Sequence, residues 1–566
     1  MALVTRSARF SPASPLAKLP LEIRDHVADL LPNRDRVALA QVDREWTEIT
    51  ERHIWRDLPS VALLLLCLPS DARCVNRVVM SQPITINGRH SNRNVDIHCV
   101  RLTRKLNGQD LLVNLHRRAA YVRAISVHPL SVGMHELGAD ENQPLYIDRD
   151  TLDEFMTAIR DHNLFTGLHT IHVGQRVVFL YPERMLLPLM TDSLKTISIS
   201  CRVPGLEETA RLSQARPSSL IIRGIDSPSL WKGLPGSNGE LDPGIVGALE
   251  LWIPSLTTLD LALRDAESVM PIVIQGKALR SLSLHSADDL EPVEQHSLYS
   301  LRTLSTIRQT AAFSMSLLGS RVLEEVDFSR VLLDTADDVS ELLSALGRCP
   351  TLRRISVVRL SVVRQRAPES LFSLLEEQAP VSCSLRPADL APLMSLKNLE
   401  KLVFNATDNV QLADMHYAAL AEALPLLRIC SIKASPGSRW VLPAGGGCTL
   451  HVLMSFARHC RSLEELSIQV DALSSLPYAP KNHDGTPFCG NNSLRKLNVG
   501  RSVVLKEERV AVYLHAVFPS LGCVESEPCE GRSLLSTDSH VLWQWISREL
   551  AYWSRSLPRR RSASSS

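Results

Sequence analysis

Few residues in this chain stand at spacings that chemistry can use. His169 and His172 are three apart, and a pair of imidazoles is a common start for a zinc site. They fall in a stretch that reads as a strand, where an odd separation puts them on opposite faces. No nearby Cys or carboxylate completes a ligand set, so they read as structural or surface histidines. Gly445-Gly446-Gly447 is not followed by the Lys-Ser/Thr of a phosphate-binding loop, and Gly276-Lys277 is followed by Ala278. The glycine triplet reads as a flexible loop before a helix beginning near residue 450. The 12 cysteines run from Cys67 to Cys529 without a CxxC pair, which fits reduced thiols rather than a disulfide framework. No nucleophile elbow, HExxH helix, EF-hand loop or kinase set is present. The expectation is a non-enzyme with no catalytic residue, no metal and no cofactor.

Charge narrows the partners. Lys+Arg is 62 and Asp+Glu is 61, so the whole chain gives no reason to expect nucleic acid or an anionic membrane. Residues 71–123 are locally basic, with ten cationic and three anionic side chains. That is compatible with a nucleic-acid face, but Tyr121 is the only aromatic there, so stacking platforms are missing. The segment reads as a linker and an N-terminal cap. The tail PRRRSASSS reads as disorder, with a kinase site or a weak nuclear signal as alternatives. The apolar run Val61–Leu68 is eight residues long against the roughly 20 that a membrane helix needs. Arg6 and Arg9 have no apolar stretch behind them, so no secretory signal is read. The sequons at Asn405 and Asn491 then read as chance matches. A cytoplasmic and/or nuclear protein is expected.

A length of 566 residues allows nearly four ordinary domains or one long repetitive one. Hydrophobic residues make up 45%, enough for a core, while aromatics are only 5%, so the core must be aliphatic. The aliphatic residues are periodic. An apolar residue, two variable ones, an apolar, one variable and an apolar recur as Leu168-Ile171-Val173, Leu194-Ile197-Ile199, Leu256-Leu259-Leu261 and Leu279-Leu282-Leu284. The series continues with Leu323-Val326-Phe328, Leu352-Ile355-Val357, Leu399-Leu402-Phe404 and Leu427-Cys430-Ile432. It ends with Leu463-Leu466-Ile468 and Leu494-Leu497-Val499. Val122-Ile125-Val127 is an earlier rung; Leu301-Leu304 and Leu521-Val524 are weaker ones. Five spacings between neighbouring rungs, of 23 to 31 residues, surround those of leucine-rich repeats, and larger gaps such as the 47 from Leu352 to Leu399 leave room for a degenerate repeat or a loop.

The last two apolar positions of a rung are two apart and share one face of a short strand. Before several rungs lies a helical stripe, as in Val339/Leu342/Leu343/Leu346 and Val510/Tyr513/Leu514/Val517. Prolines such as those in GRCPTL and EALPLL stop each helix before its strand. One helix and one strand cannot bury an apolar face alone, so the units must stack. The expected fold is α/β: a solenoid with parallel strands inside and helices outside, over 121–530, capped by an aromatic helix at 531–555. Disordered ends are expected at 1–15 and 556–566, and a linker and cap at 59–120. Outward strand residues alternate with buried ones. They include Asp260, Ser283, His285, Asp327, Ser356, Asn405, Ser467 and Asn498, and the cations Arg354, Lys401, Lys433 and Lys496, a mixture of small polar groups and both charges that suits a protein substrate.

Residues 16–58 differ. Leu19-Pro20 opens a first helix with Ile23, Val27 and Leu30 as its stripe, and Pro32-Asn33 breaks it. Asp35 can cap a second helix and Asp43 a third, which carries Trp46, Ile49 and Ile54. Three short helices make a small core, and exposed apolar residues here would be interaction surface. The stretch resembles an F-box in Leu19-Pro20-Leu21-Glu22-Ile23, Leu30-Leu31-Pro32, Val42, Trp46 and Trp55, with Asp43 where the family commonly has Cys. With IWRDLPSVALLLLCLPSD and RRAAYVRAISVHP, the chain is similar to F-box/leucine-rich-repeat proteins of mushroom-type fungi. The resemblance implies an adaptor of an SCF-type (cullin–RING) ubiquitin ligase, its F-box docking the small Skp adaptor through Leu19, Pro20, Ile23, Leu31, Val42 and Trp46. Ile23, Val42 and Trp46 have a second reading as interior residues of the module. A repeat scaffold that recruits no ligase is the alternative function.

Overall fold

The structure, a computed structural model, describes residues 19–42, 44–86, 89–110, 115–127, 145–147, 149–174, 186–200, 203, 205–223, 243–263, 267–286, 290–293, 298–319, 322–333, 335, 337–362, 384–405, 409–434, 448–473, 490–527 and 534–556. The 1–15 segment, Asp43, the Gly445–Gly447 loop and the tail from 557 lie outside these residues. The chain divides into two compact units, Met1–Ala278 and Leu279–Ser566.

The first unit opens with three short helices: α1 (Leu21–Leu30), α2 (Asn33–Leu39) and α3 (Arg44–Arg56). Pro20 and Pro32 precede α1 and α2 as their N-caps. Asp35, expected as the cap of α2, lies inside its first turn, because Pro32 with its fixed φ already starts the helix. Ala28, Trp46 and Ile49 are the buried apolar residues of these helices. Polar pairs supplement so small a core. Arg24 of α1 meets Glu45 of α3, and His53 of α3 stands 3.0 Å from Asp25 and 3.5 Å from Asp29 of α1.

β1 (Asp57–Leu58) follows α3 with no loop between them. Next come β2 (Arg73–Ile86) and β3 (Arg89–Leu102), an antiparallel hairpin in unbroken register from Arg73↔Leu102 to Ile86↔Arg89. This hairpin occupies the segment read as linker and cap; polar interruptions such as Ser81-Gln82-Pro83 mask its alternation. β4 (Ala124–Val127) pairs in parallel with β1, so the three helices feed directly into the first rung. β5 (Leu145–Ile147) lies along β3. β6 (Thr170–Val173), β7 (Thr196–Ile199), β8 (Ser219–Ile222) and β9 (Thr258–Leu263) then follow β4 in chain order, all parallel. Ile125, Ile171, Ile197, Leu220 and Leu259 stand in one register row, each fully or almost fully buried. β8 belongs to a rung that spacing alone does not reveal. Pro217 takes its first position, ahead of Leu220 and Ile222, and all three are buried.

The second unit repeats the plan. β10 (Ser281–Ser286), β11 (Thr303–Thr310), β12 (Glu325–Leu333) and β13 (Arg354–Val357) are parallel and sequential. β14 (Leu360–Val362) pairs with the far half of β12, and β15 (Ser384–Leu385) starts a side ladder. β16 (Lys401–Phe404) returns to the main sheet, β17 (Asn409–Val410) pairs with β15, and β18 (Ile429–Ile432), β19 (Glu465–Ile468), β20 (Lys496–Asn498) and β21 (Cys523–Glu525) complete the order. The inward row reads Leu282, Leu304, Val326, Ile355, Leu402, Cys430, Leu466, Leu497, Val524.

A backbone device recurs at most turns into the parallel strands. The carbonyl just after the first apolar residue of one rung accepts two amides of the next. Arg353 O accepts Glu400 N at 2.7 Å and Lys401 N at 3.0 Å, and Glu400 O accepts Arg428 N and Ile429 N in the same way. From Arg302 to Arg495 the side chains at this position alternate in sign, and they pair across repeats: Arg302–Glu324 at 3.0 Å, Arg353–Glu400 at 3.4 Å and Arg428–Glu464 at 2.7 Å. Each exposed pair contributes under about 1 kcal/mol, so the row helps to set register more than stability.

The helical stripes are buried as their period requires. Val339, Leu342, Leu343 and Leu346 on one helix, and Val510, Tyr513, Leu514 and Val517 on another, lie in the interior. The helix Leu534–Ser556 covers the last strand: Trp543, Ile546 and Leu550 are buried, Trp543 Nε1 donates to Ser502 O at 2.9 Å, and Ser547 Oγ accepts the Val524 amide at 2.9 Å. An edge amide that would otherwise need another strand is thereby satisfied.

This contact carries a pH dependence. His515 stands edge-on to Trp553, ring centroids 5.5 Å apart, and burial pushes its pKa below the usual 6.5. The folded state favours the neutral ring. The stability it contributes is therefore complete above the unfolded pKa and is lost as pH falls through the lower folded one. The melting temperature should drop between pH 7.5 and 5.5, and His515→Gln should reduce that drop; an equal drop in both proteins would contradict this assignment.

Candidate interaction surfaces

The stripe on α1 does not face a core. Ile23 is 48% exposed and Leu30 71%, while Val27 is half-buried. Leu21 beside them is 58% exposed, and Val37 of α2 is also exposed. Single exposed apolar residues are ordinary, but Ile23 and Leu30 stand on one side of α1 with half-buried Val27 between them, a stripe that water solvates poorly. Pro20 is exposed, and Leu19, Leu31 and Val42 are half-buried. Trp46 has no accessible surface and takes the interior reading. The structure therefore leaves Leu19, Pro20, Ile23, Leu31 and Val42 reachable and puts Trp46 in the interior. Leu30, on the same side of α1 as Ile23, joins that surface although the sequence does not mark it as a contact; an amphipathic stripe looks the same whether it faces a core or a partner. Trp55 sits under the Arg118 guanidinium at 5.3 Å, and Arg118 also reaches Glu51 of α3, which ties the module's far end to the helix His116–Ala119.

The outward face of the second unit is ordered by register. Ser283, Ser305, Asp327, Ser356, Val403, Ser431, Ser467, Asn498 and Glu525 form one column across nine strands. Five of the residues expected from the alternation, Ser283, Asp327, Ser356, Ser467 and Asn498, share it. His285 and Asn405 stand two residues further along their chains. Ser283 Oγ is 2.7 Å from His285 Nε2, and Ser431 Oγ donates to Asn405 Oδ1 at 2.7 Å. Asn498 donates to Glu525 at 3.4 Å. Asp327 Oδ1 is enclosed without a hydrogen-bond partner among the described residues. Asp260 belongs to the first unit, where it is buried and engaged by Arg223, which donates from Nε at 3.1 Å. It is therefore less available than its strand position implies.

Lys433 Nζ reaches Glu527 at 2.6 Å, across 94 residues of sequence, and Lys496 pairs with Glu525 at 2.9 Å. Sequence reading missed the first pair, because two residues become neighbours only through strand stacking. Among the described residues no group of three His, Cys, Asp or Glu could hold a metal. His169 and His172 flank and occupy β6. Burial pushes the thiols of Cys349 and Cys460 up to about 11 and about 12, and Cys430 higher still, so these are packing groups rather than nucleophiles. No described helix is long and apolar enough to cross a membrane. What the surfaces offer is hydrogen bonding, charge and apolar contact.

No protein-family profile and no curated protein matches this chain. Among solved structures it is similar to an internalin from Listeria monocytogenes at 10% identity, covering 71% of this chain and 94% of that one, with a TM-score of 0.34. It is also similar to the leucine-rich-repeat ectodomain of the plant receptor kinase GASSHO1/SCHENGEN3 from Arabidopsis thaliana, a structure in complex with CASPARIAN STRIP INTEGRITY FACTOR 2. There the identity is 11%, with 73% of this chain and 48% of that one covered and a TM-score of 0.33, so the chain spans about half the ectodomain's length. At such values the fold rests on strand order and rung register rather than on either likeness. On that ground both units are built of leucine-rich repeats, parallel strands alternating with helices or short turns.

Proposed function

We propose that the chain is the substrate-recognition adaptor of an SCF-type ubiquitin ligase. Residues 16–58 dock the Skp adaptor, the repeats over 121–530 hold a protein substrate, and the helix near 531–555 caps them. The observation that carries the reading is the exposed apolar surface of α1, centred on Ile23, on a three-helix module that passes directly into the first strand. Such a module gains by covering that surface with a partner. The adaptor does no bond chemistry itself; it raises the effective concentration of substrate lysines near a charged ubiquitin-carrying enzyme. The motif residues Leu19-Pro20 and Trp55, the latter stacked under Arg118, add to the support. A scaffold with no ligase is the second reading, favoured by the extent of the repeat surface alone.

Proximity labelling in cells with the proteasome inhibited tests the proposal. Skp and cullin subunits should be among the labelled proteins, together with a protein whose level rises on inhibition. A labelled set without ligase subunits would leave only the scaffold reading.

A further inference from the structure

Gln309, Val331 and Leu360 share one register row across β11, β12 and β14, and all three are buried. The residue before each is an arginine: Arg308, Arg330 and Arg359. Strand alternation turns these to the other face, where Arg308 and Arg359 are exposed and Arg330 is half-buried. The backbone keeps them side by side. Val331 N donates to Arg359 O at 2.8 Å, and Arg308 is the extra residue of a bulge between the pairs Ile307↔Arg330 and Gln309↔Val331. Neighbouring strands are about 4.8 Å apart, so the three long side chains start close enough to converge. Cations elsewhere on this unit have carboxylates beside them, as Arg354 has Glu325, Lys433 has Glu527 and Lys496 has Glu525. Arg308, Arg330 and Arg359 make no ion pair or side-chain hydrogen bond with a described residue. Segments 306–310, 328–333 and 357–362 contain no Asp or Glu, and neither do His285-Ser286 and Phe404-Asn405 at the ends of the flanking strands. Asp327, the first acid back along β12, leaves two positive charges over even when set wholly against the three. The arrangement also costs stability. Arg308 has φ +60°, a left-handed conformation that favours glycine, Arg330 Nε is enclosed without an acceptor among the described residues, and like charges opposite each other destabilise a sheet.

We propose that Arg308, Arg330 and Arg359 form a binding site for a phosphate group, as the free ion or as a monoester. Charge and acceptor count are its ground. A phosphate monoester brings about two negative charges and three free oxygens, one for each guanidinium. A carboxylate brings one charge and two oxygens and leaves an arginine unmatched. Planar guanidinium forks grip phosphate oxygens in pairs, which a lysine point charge does not. The site uses only the β11–β12–β14 ladder and is independent of Skp docking.

The test is calorimetric titration of the full-length chain with inorganic phosphate and with O-phosphoserine in a chloride buffer. Both should bind at pH 7.5 with a dissociation constant of about 1 mM or lower, and acetate at least about tenfold more weakly. Affinity for phosphoserine should fall about tenfold from pH 7 to pH 5, because its second proton returns near pH 6 while arginine stays charged. Arg308→Gly separates binding from folding. Glycine adopts φ +60° without strain, so this variant should melt no lower than wild type, yet bind phosphoserine about tenfold more weakly, as the loss of one charge-assisted contact implies. Arg359→Gln, at an exposed position, should lose a similar factor. Inorganic phosphate bound as tightly as phosphoserine supports a site for the free ion. A 12-residue peptide that binds more tightly than phosphoserine, and only when its serine is phosphorylated, supports a site for phosphorylated protein. No binding at 10 mM phosphate or phosphoserine overturns the proposal. So does acetate bound as tightly as phosphate, or affinity unchanged in both Arg308→Gly and Arg359→Gln.

Discussion

Aspartate in place of Ile23 should abolish capture of the Skp adaptor while leaving the chain as stable as before. Ile23 lies in the first turn of α1, half in water, so its replacement opens no cavity. A carboxylate near a helix N-terminus is favourable to the helix. The change in folding stability should stay within about 0.5 kcal/mol, as for other surface substitutions. Binding is different. An isoleucine that a partner covers contributes about 1.5–3 kcal/mol, and an aspartate in the same pocket must also be desolvated at a further cost of at least about 1 kcal/mol. Together these reduce affinity by about a hundredfold or more. Trp46→Ala makes the contrast. Trp46 is wholly buried in a module with few other buried apolar residues, so its truncation should cost about 3–5 kcal/mol and abolish binding by loosening the three helices. Calorimetric titration with the adaptor, beside hydrogen exchange of residues 19–58, separates the two outcomes. Retained affinity in Ile23→Asp would show that α1 does not face the adaptor.

Leu402→Ala should destabilise the second unit by about 2–5 kcal/mol. Leu402 has no exposure and stands in register between Ile355 and Cys430 of the two neighbouring repeats. In a repeat array each unit contacts only its neighbours, so amide exchange should accelerate most in β13, β16 and β18. The opposite sign is expected at Thr306. It occupies the third, inward position of the rung Leu301-Leu304-Thr306, is fully buried, and its hydroxyl has no hydrogen-bond partner among the described residues. Thr306→Val removes that unsatisfied group at nearly constant shape and should stabilise by about 1–3 kcal/mol. Denaturant unfolding of the two variants measures both, and a destabilised Thr306→Val would mean that the hydroxyl is hydrogen-bonded in solution.

The ladder was legible because one constraint repeats: an inward row must be apolar at every strand. Where other residues met that constraint the pattern failed. Pro217 fills a leucine position before β8, and Thr306 fills a third position, so both rungs were invisible or weak. β1 was hidden because two residues at the end of α3 carry no period of their own. The outward residues followed from a period of two, yet their availability did not. Asp260 is claimed by Arg223 and Asn405 by Ser431, partners that strand stacking brings together from 37 and 26 residues away. The α1 surface was legible as an amphipathic stripe, but only the structure shows that Ile23 and Leu30 face water rather than a core.

The most direct test of the adaptor reading mixes the purified full-length chain with purified Skp adaptor and measures the mass of what forms by light scattering after size exclusion. A 1:1 complex at about 10 µM of each protein is expected, requiring a dissociation constant of about 1 µM or lower, and it should be absent with Ile23→Asp. Wild-type chain that elutes apart from the adaptor at that concentration would contradict the reading and leave a leucine-rich-repeat scaffold.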